Sequence, residues 1–227
     1  MAQIYKTRRY SRHTYGDDGL NGHRNILSVS FVATDLGKPK AVSTVHVLPL
    51  SASASGAITT YTAAAGNLTQ PDVPRNLTVQ PGGTTGDVAT MDITITGKNV
   101  EGKTISETFP FLANATGAQT GSLAFAQVDS VSIPAQDGAN ATFKVGIGAK
   151  LGIGMRNIAS MPIQVMTNTA GTEAIEAASA SAFSATLPEA NTVTTTTSPN
   201  GAIGMRVYVL NYKWAINPTN AQPDYGV

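Results

Sequence analysis

In residues 88–111 apolar and polar positions alternate with a period of two. Met91, Ile93 and Ile95 fall on one side and Asp92, Thr94 and Thr96 on the other. This is the pattern of a half-buried strand, because successive side chains leave a strand on opposite faces. The alternation resumes with Ile105, Phe109 and Phe111. Between the two runs lies Gly97-Lys-Asn-Val-Glu-Gly102, whose Gly and Asn residues tolerate the positive φ of a reversal, so the stretch predicts a β-hairpin. Glu107 interrupts the second apolar face, which predicts an edge strand or a bulge, where an inward charge discourages unwanted pairing.

The rest of the chain continues in the same period. Strand patterns cover residues 26–33, 41–48, 58–62, 76–80, 123–133, 142–147, 158–166 and 203–214. Turn clusters at residues 35–39, 71–74, 81–83 and 136–140 and polar loops at 51–56 and 114–121 separate them. Pro74, at the head of a strand, costs no ladder bond. Residues 194–198 read as a loop or an edge. Only residues 172–183, Ala-rich with Glu173 and Glu176, suggest a helix. The expected fold class is all-β: an antiparallel β-sandwich or barrel-like domain over residues 26–216, with an extended N-terminal arm (1–25) and an irregular C-terminal tail (217–227). Ile153-Gly-Met-Arg156 recurs as Ile203-Gly-Met-Arg206, too short a match to define a repeat.

The arm differs from everything after it. Lys6, Arg8, Arg9, Arg12 and Arg24 stand against only Asp17 and Asp18, and Tyr5, Tyr10 and Tyr15 recur every five residues. It has no apolar periodicity to bury it in its own domain, yet Tyr and Arg are enriched where protein surfaces meet. One expectation is therefore an arm that lies on a neighbouring subunit through Tyr5, Arg8, Arg9, Tyr10, Arg12 and Tyr15. A basic tail without fixed structure is the second. Nucleic-acid contact is a third and weaker one, since the net charge of the whole chain is only +1.

Composition narrows the chemistry. With no cysteine, disulfide scaffolds, thiolate metal sites and cysteine nucleophiles are excluded. The N-terminus lacks the apolar core of a secretory signal, and no run approaches a membrane span, so synthesis and initial residence in a cytoplasm are expected. The sequons at Asn67, Asn76, Asn114 and Asn140 are then by-products of Thr-rich composition. His13, His23 and His46 have no second ligand at metal-binding spacing. No Gly-x-Ser-x-Gly elbow is present. Asp87, Asp92, Glu101 and Glu107 read as solvated hairpin charges rather than a glycosidase pair. Asp129 and Asp137 lack the calcium-loop pattern. The glycine-rich residues 146–154 do not satisfy a phosphate-binding loop, and the glycines there are expected to let strands bend or approach another backbone. No catalytic residue, cofactor or metal is expected.

Several phrases carry a resemblance: Asn67-Leu-Thr-Gln-Pro-Asp-Val-Pro-Arg-Asn-Leu-Thr-Val79, Ile93-Thr-Ile-Thr-Gly-Lys-Asn-Val-Glu-Gly-Lys-Thr-Ile-Ser-Glu-Thr108, Phe125-Ala-Gln-Val-Asp-Ser-Val-Ser-Ile-Pro134, Val145-Gly-Ile-Gly-Ala-Lys-Leu-Gly152 and Ser198-Pro-Asn-Gly201. Together, across residues 57–212, they resemble β-sandwich structural proteins of tailed bacteriophages and prophages. The pattern is one of turns and strands, and the arm is outside it. The resemblance implies a virion component and assembly rather than catalysis. The leading expectation is a capsid decoration or cement protein, assembled in the host cytoplasm. It would bind the major capsid protein and form a homo-oligomer, a trimer being one closed solution, with no membrane partner. A tail, collar or head-tail joining component is the alternative within the virion. From another class, a cell-surface carbohydrate-binding or adhesive domain is disfavoured by the missing signal and by Trp214 being the single Trp.

Overall fold

The computed structural model describes residues 8–17, 24–153, 163–169, 172–176, 178–180, 184 and 186–215. Along them run β1 (Arg8–Asp17), β2 (Arg24–Gly37), β3 (Ser43–Ala52), β4 (Thr59–Thr62), β5 (Arg75–Gly82), β6 (Met91–Lys98), β7 (Thr104–Phe111), β8 (Gln119–Thr120), β9 (Gln127–Ile133) and β10 (Thr142–Gly152). They are followed by β11 (Ile163–Thr169), β12 (Thr172–Glu176), β13 (Ala178–Ala180), β14 (Thr192–Thr195) and β15 (Gly204–Ala215), with one 3-10 turn at Pro188–Ala190. The all-β expectation holds, and every strand ladder is antiparallel.

Two sheets make the sandwich. One runs β13-β14-β10-β5-β8, with β3 also on β10, and the other β4-β9-β6-β7. Their inner positions form one core: Leu48, Leu77, Val79, Phe143, Val145 and Ile147 from the first meet Ile93, Ile95, Phe109, Val128, Val131 and Ile133 from the second. Burying one such side chain contributes about 1.5–3 kcal/mol, so this face sets the register. A slip by one residue would turn the whole apolar set to solvent.

The hairpin forms as expected, with Met91 opposite Phe111 and Lys98 opposite Thr104. The turn lies later than Gly97. Asn99 Oδ1 accepts from the amides of Glu101 (2.9 Å) and Lys103 (3.0 Å), and Gly102 takes φ +79°. Gly97 is a strand residue. A Cβ there would lie 2.1 Å from the Gln127 carbonyl oxygen, so its role is close approach at a register shift between β6 and β9. Glu107 does lie on an edge strand, since β7 ends its sheet.

The glycines of residues 146–154 sit largely within β10, as the close-approach reading expects. A Cβ at Gly146 would lie 1.8 Å from the Ser43 carbonyl, and one at Gly148 2.3 Å from Asn76 Oδ1. The ladder between β10 and β5 is interrupted between Ile147 and Leu151, and two β5 side chains supply the missing hydrogen bonds. Arg75, fully buried, donates from Nε to the Gly148 carbonyl (2.8 Å), from Nη2 to the same oxygen, and from Nη1 to the Lys40 carbonyl (3.0 Å) and to Asp72 Oδ1 (3.1 Å). Asn76 accepts from the Lys150 amide (2.9 Å) and donates to the Gly121 carbonyl (2.8 Å). Burial pulls the Arg75 guanidinium below the ordinary arginine range, and the charge and hydrogen bond of Asp72 pull it back up.

The expected helix at residues 172–183 is not formed. Thr172–Glu176 pairs with β11 and Ala178–Ala180 with β14; residues 177 and 181–183 lie outside the described ones. Alanine's helix propensity is weak against the ladder that Thr172 and Ile175, both β-branched, complete. The expected loop at 51–56 begins later, because β3 continues to Ala52. The tail at 217–227 falls outside the described residues.

The third sheet, β1-β2-β15-β11-β12, joins the sandwich through a smaller core in which Leu36, Met205 and Val207 meet Leu151, Ile153, Val193 and Ile203. Both isoleucines of the recurring Ile-Gly-Met-Arg motif belong to this core.

Candidate interaction surface

The carboxylates nearest the hairpin serve loops. Glu107 Oε1 accepts from the amide of Ser122 (2.6 Å), its hydroxyl (3.1 Å) and the amide of Leu123 (3.4 Å). Asp87 Oδ2 accepts from the Asn140 amide (3.1 Å), and the Asp87 carbonyl from the amides of Asp137 and Gly138 (both 3.1 Å). Asp92 and Glu101 are exposed. His46 Nε2 lies 3.1 Å from the Gln70 carbonyl, and Asp129 accepts from the Gln127 amide group (2.6 Å). Glu189, buried on the 3-10 turn, accepts from Asn99 Nδ2 at 3.0 Å. Among the described residues no three His, Asp or Glu side chains gather as a metal site, and no helix is long and apolar enough to cross a membrane. Asn76, the second sequon, is fully buried.

The arm residues lie in a sheet. The β1 backbone is hydrogen bonded to the chain's own β2, with Arg8 opposite Ala33 and Asp17 opposite Arg24. Alternation within β1 divides the candidates: Arg8, Tyr10 and Arg12 share one face, and Arg9 and Tyr15 share the other. Tyr5 lies outside the described residues. The structure therefore brings three of the six together and sets two apart from them.

The orientation of this sheet follows from its base. Val207 and Thr34, paired in register, are buried, and Thr34 Oγ1 donates to the Ile153 carbonyl at 3.1 Å. Their face is turned toward the sandwich. Arg206 and Asp35, paired on the opposite face, are exposed and form an ion pair at 3.3 Å. Along the strands the registers align Arg9, Val32 and Val209 in one row, then Ser11, Ser30 and Asn211, then His13, Ser28 and Lys213, then Tyr15, Ile26 and Ala215. The intervening rows are Tyr10, Phe31 and Leu210, then Arg12, Val29 and Tyr212, then Thr14, Leu27 and Trp214.

The surface that joins the arm to β2 and β15 is absent from the expectation built on the arm alone. Its signal is in the sequence, since Tyr208, Leu210, Tyr212 and Trp214 alternate with Val209, Asn211 and Lys213. Comparison with protein-family models and with curated proteins finds no match for this chain.

Proposed function

We propose that this chain is a structural protein of a tailed-bacteriophage virion, a decoration or cement protein that binds the head surface and neighbouring subunits. The observation that supports this reading is that β1, which carries Arg8, Arg9, Tyr10, Arg12 and Tyr15, forms the edge strand of the third sheet. An edge strand offers its unpaired backbone groups to a neighbouring chain. The buried polar groups support it as well: Arg75, Asn76 and Glu189 hold backbone and loops in place, which suits a rigid building block.

The test adds variants to particles that lack the protein and measures bound copies across a salt series. Buried aromatic anchors typically cost about 2 kcal/mol or more on truncation, whereas exposed ion pairs contribute about 0–1 kcal/mol and are screened by salt. Replacing Tyr5, Tyr10 and Tyr15 with Ala therefore weakens incorporation more than replacing Arg8, Arg9 and Arg12 with Gln. If the arginine variant fails, the tyrosine variant binds normally and wild-type binding collapses with salt, the arm is an electrostatic tether and its anchoring on a neighbouring subunit through the tyrosines is refuted.

A further inference from the structure

We propose that the outer face of the β4-β9-β6-β7 sheet is a homotypic contact, stacking on the same face of a second copy of this chain about a two-fold axis that lies across the strands at the level of Ile95. The inference needs no particle and stands apart from the virion reading.

Three observations carry it. First, the face is a grid of hydroxyls. The registers align Thr60, Ser132, Thr94 and Thr108 in one row across all four strands. Two residues along, Thr62, Ser130, Thr96 and Ser106 make a second complete row. Ile93 and Ile95, which alternate with these residues on β6, are buried in the core, so both rows point away from the sandwich. A hydroxyl both donates and accepts, and Thr94 Oγ1 lies 3.5 Å from Thr108 Oγ1 within the first row. Such a face is complementary to itself at every position, which a face of donors alone or acceptors alone is not.

Second, the charges flanking the grid on β6 are opposite and symmetrically placed. Exposed Asp92 precedes Ile95 by three residues and half-buried Lys98 follows it by three, both on the outer face. Between them the β6 and β7 positions of this face are uncharged. An axis across the strands lays β6 antiparallel over β6 of the second copy, which sets Asp92 of each chain on Lys98 of the other and each hydroxyl row on the other row. An axis along β6 would set Asp92 on Asp92 and Lys98 on Lys98, so the charges select the first arrangement. Third, the area defines the class of contact. With strands about 4.8 Å apart and about 3.4 Å per residue, the face covers roughly 400 Å² per copy, the size of a weak, reversible contact rather than a permanent dimer. It is isologous and closes at two copies.

The experiment uses the full chain without particles. Sedimentation equilibrium into the millimolar range is expected to show dimers forming at high concentration. Asp92→Lys and Lys98→Asp each raise the dimer dissociation constant about tenfold, since each replaces two attractive pairs by two repulsive ones, and the double variant restores it. Cross-linking with a short bis-maleimide suits a chain that has no cysteine of its own. Thr96→Cys residues lie about 7 Å apart along the strands in the stacked pair and are captured as a covalent dimer. Thr104→Cys, on the same face beside Lys98, places its two sulfurs about 20 Å apart and is not captured. If a charge variant fails to fold, the cysteine pair still decides, since neither of its positions carries a charge. Absence of self-association, charge reversal without effect, a double variant no tighter than the single ones, or capture of Thr104→Cys as readily as Thr96→Cys overturns the proposal. Binding to particles without any self-association would also overturn it while leaving the virion reading intact.

Discussion

Replacing Arg75 with Met isolates the contribution of a buried cation to the sandwich. Arg75 is fully buried and serves two backbone carbonyls, Gly148 and Lys40, besides Asp72. Methionine fills similar volume and donates nothing. The Gly148 carbonyl lies where the β10–β5 ladder is interrupted, so no strand neighbour compensates there. Each orphaned buried carbonyl costs about 1–3 kcal/mol, and breaking a buried ion pair by removing one partner costs about 3–5 kcal/mol. Asp72 limits the total, since its side chain is 13% exposed and its other oxygen accepts from the Lys40 amide at 2.6 Å. A net loss of about 3–5 kcal/mol follows, a fall in Tm of about 6–20 °C for a domain of this size. Denaturant and thermal unfolding of Arg75→Met measure it, with Asp72→Asn as the comparison. That variant keeps an acceptor and loses only the charge, so its cost is smaller. An Arg75→Met protein within about 1 kcal/mol of the wild type would refute the claim that this side chain substitutes for the ladder.

Gly97→Ala drives a Cβ to 2.1 Å from a backbone oxygen and lowers stability by about 1–3 kcal/mol in denaturant unfolding. Gly102→Asn, at φ +79° in open space, stays within about 1 kcal/mol. Asn99→Ala removes the acceptor of two turn amides and the donor to buried Glu189, a loss of about 2–4 kcal/mol by the same measurement. Deleting residues 1–17 removes one edge strand of the third sheet and leaves the sandwich core in place. Circular dichroism stays β-rich and the main unfolding transition persists; loss of that transition would place the arm in the core.

The parts of the fold that were legible are those where one face is buried and one is wet. Met91, Ile93 and Ile95 announce β6 because polar residues alternate with them, and Glu107 announces an edge because a charge breaks the apolar face of β7. Where burial is two-sided or glycine-rich, the period disappears. β10 continues five residues past Ile147 through Gly148 and Gly152, a stretch that in isolation suggests a loop, and Gly146 and Gly148 allow Ser43 and Asn76 to approach. The alanines of residues 172–183 resemble a helix because local propensity contains nothing about the β11 and β14 ladders that claim the segment. Arg75 gives no hint of burial, because its acceptors are main-chain carbonyls 35 and 73 residues away. The candidate surface was half legible. Tyr10, Arg8 and Arg12 stand out in the arm, but their shared face appears only once the registers align β1 with β2 and β2 with β15.

The most direct test of the central claim is a quantitative protein census of purified particles. A decoration protein is present in a copy number fixed by the capsid lattice, in constant ratio to the major capsid protein, and is found on heads separated from tails. A few copies per particle confined to the neck or tail, or no copies at all, would contradict the account.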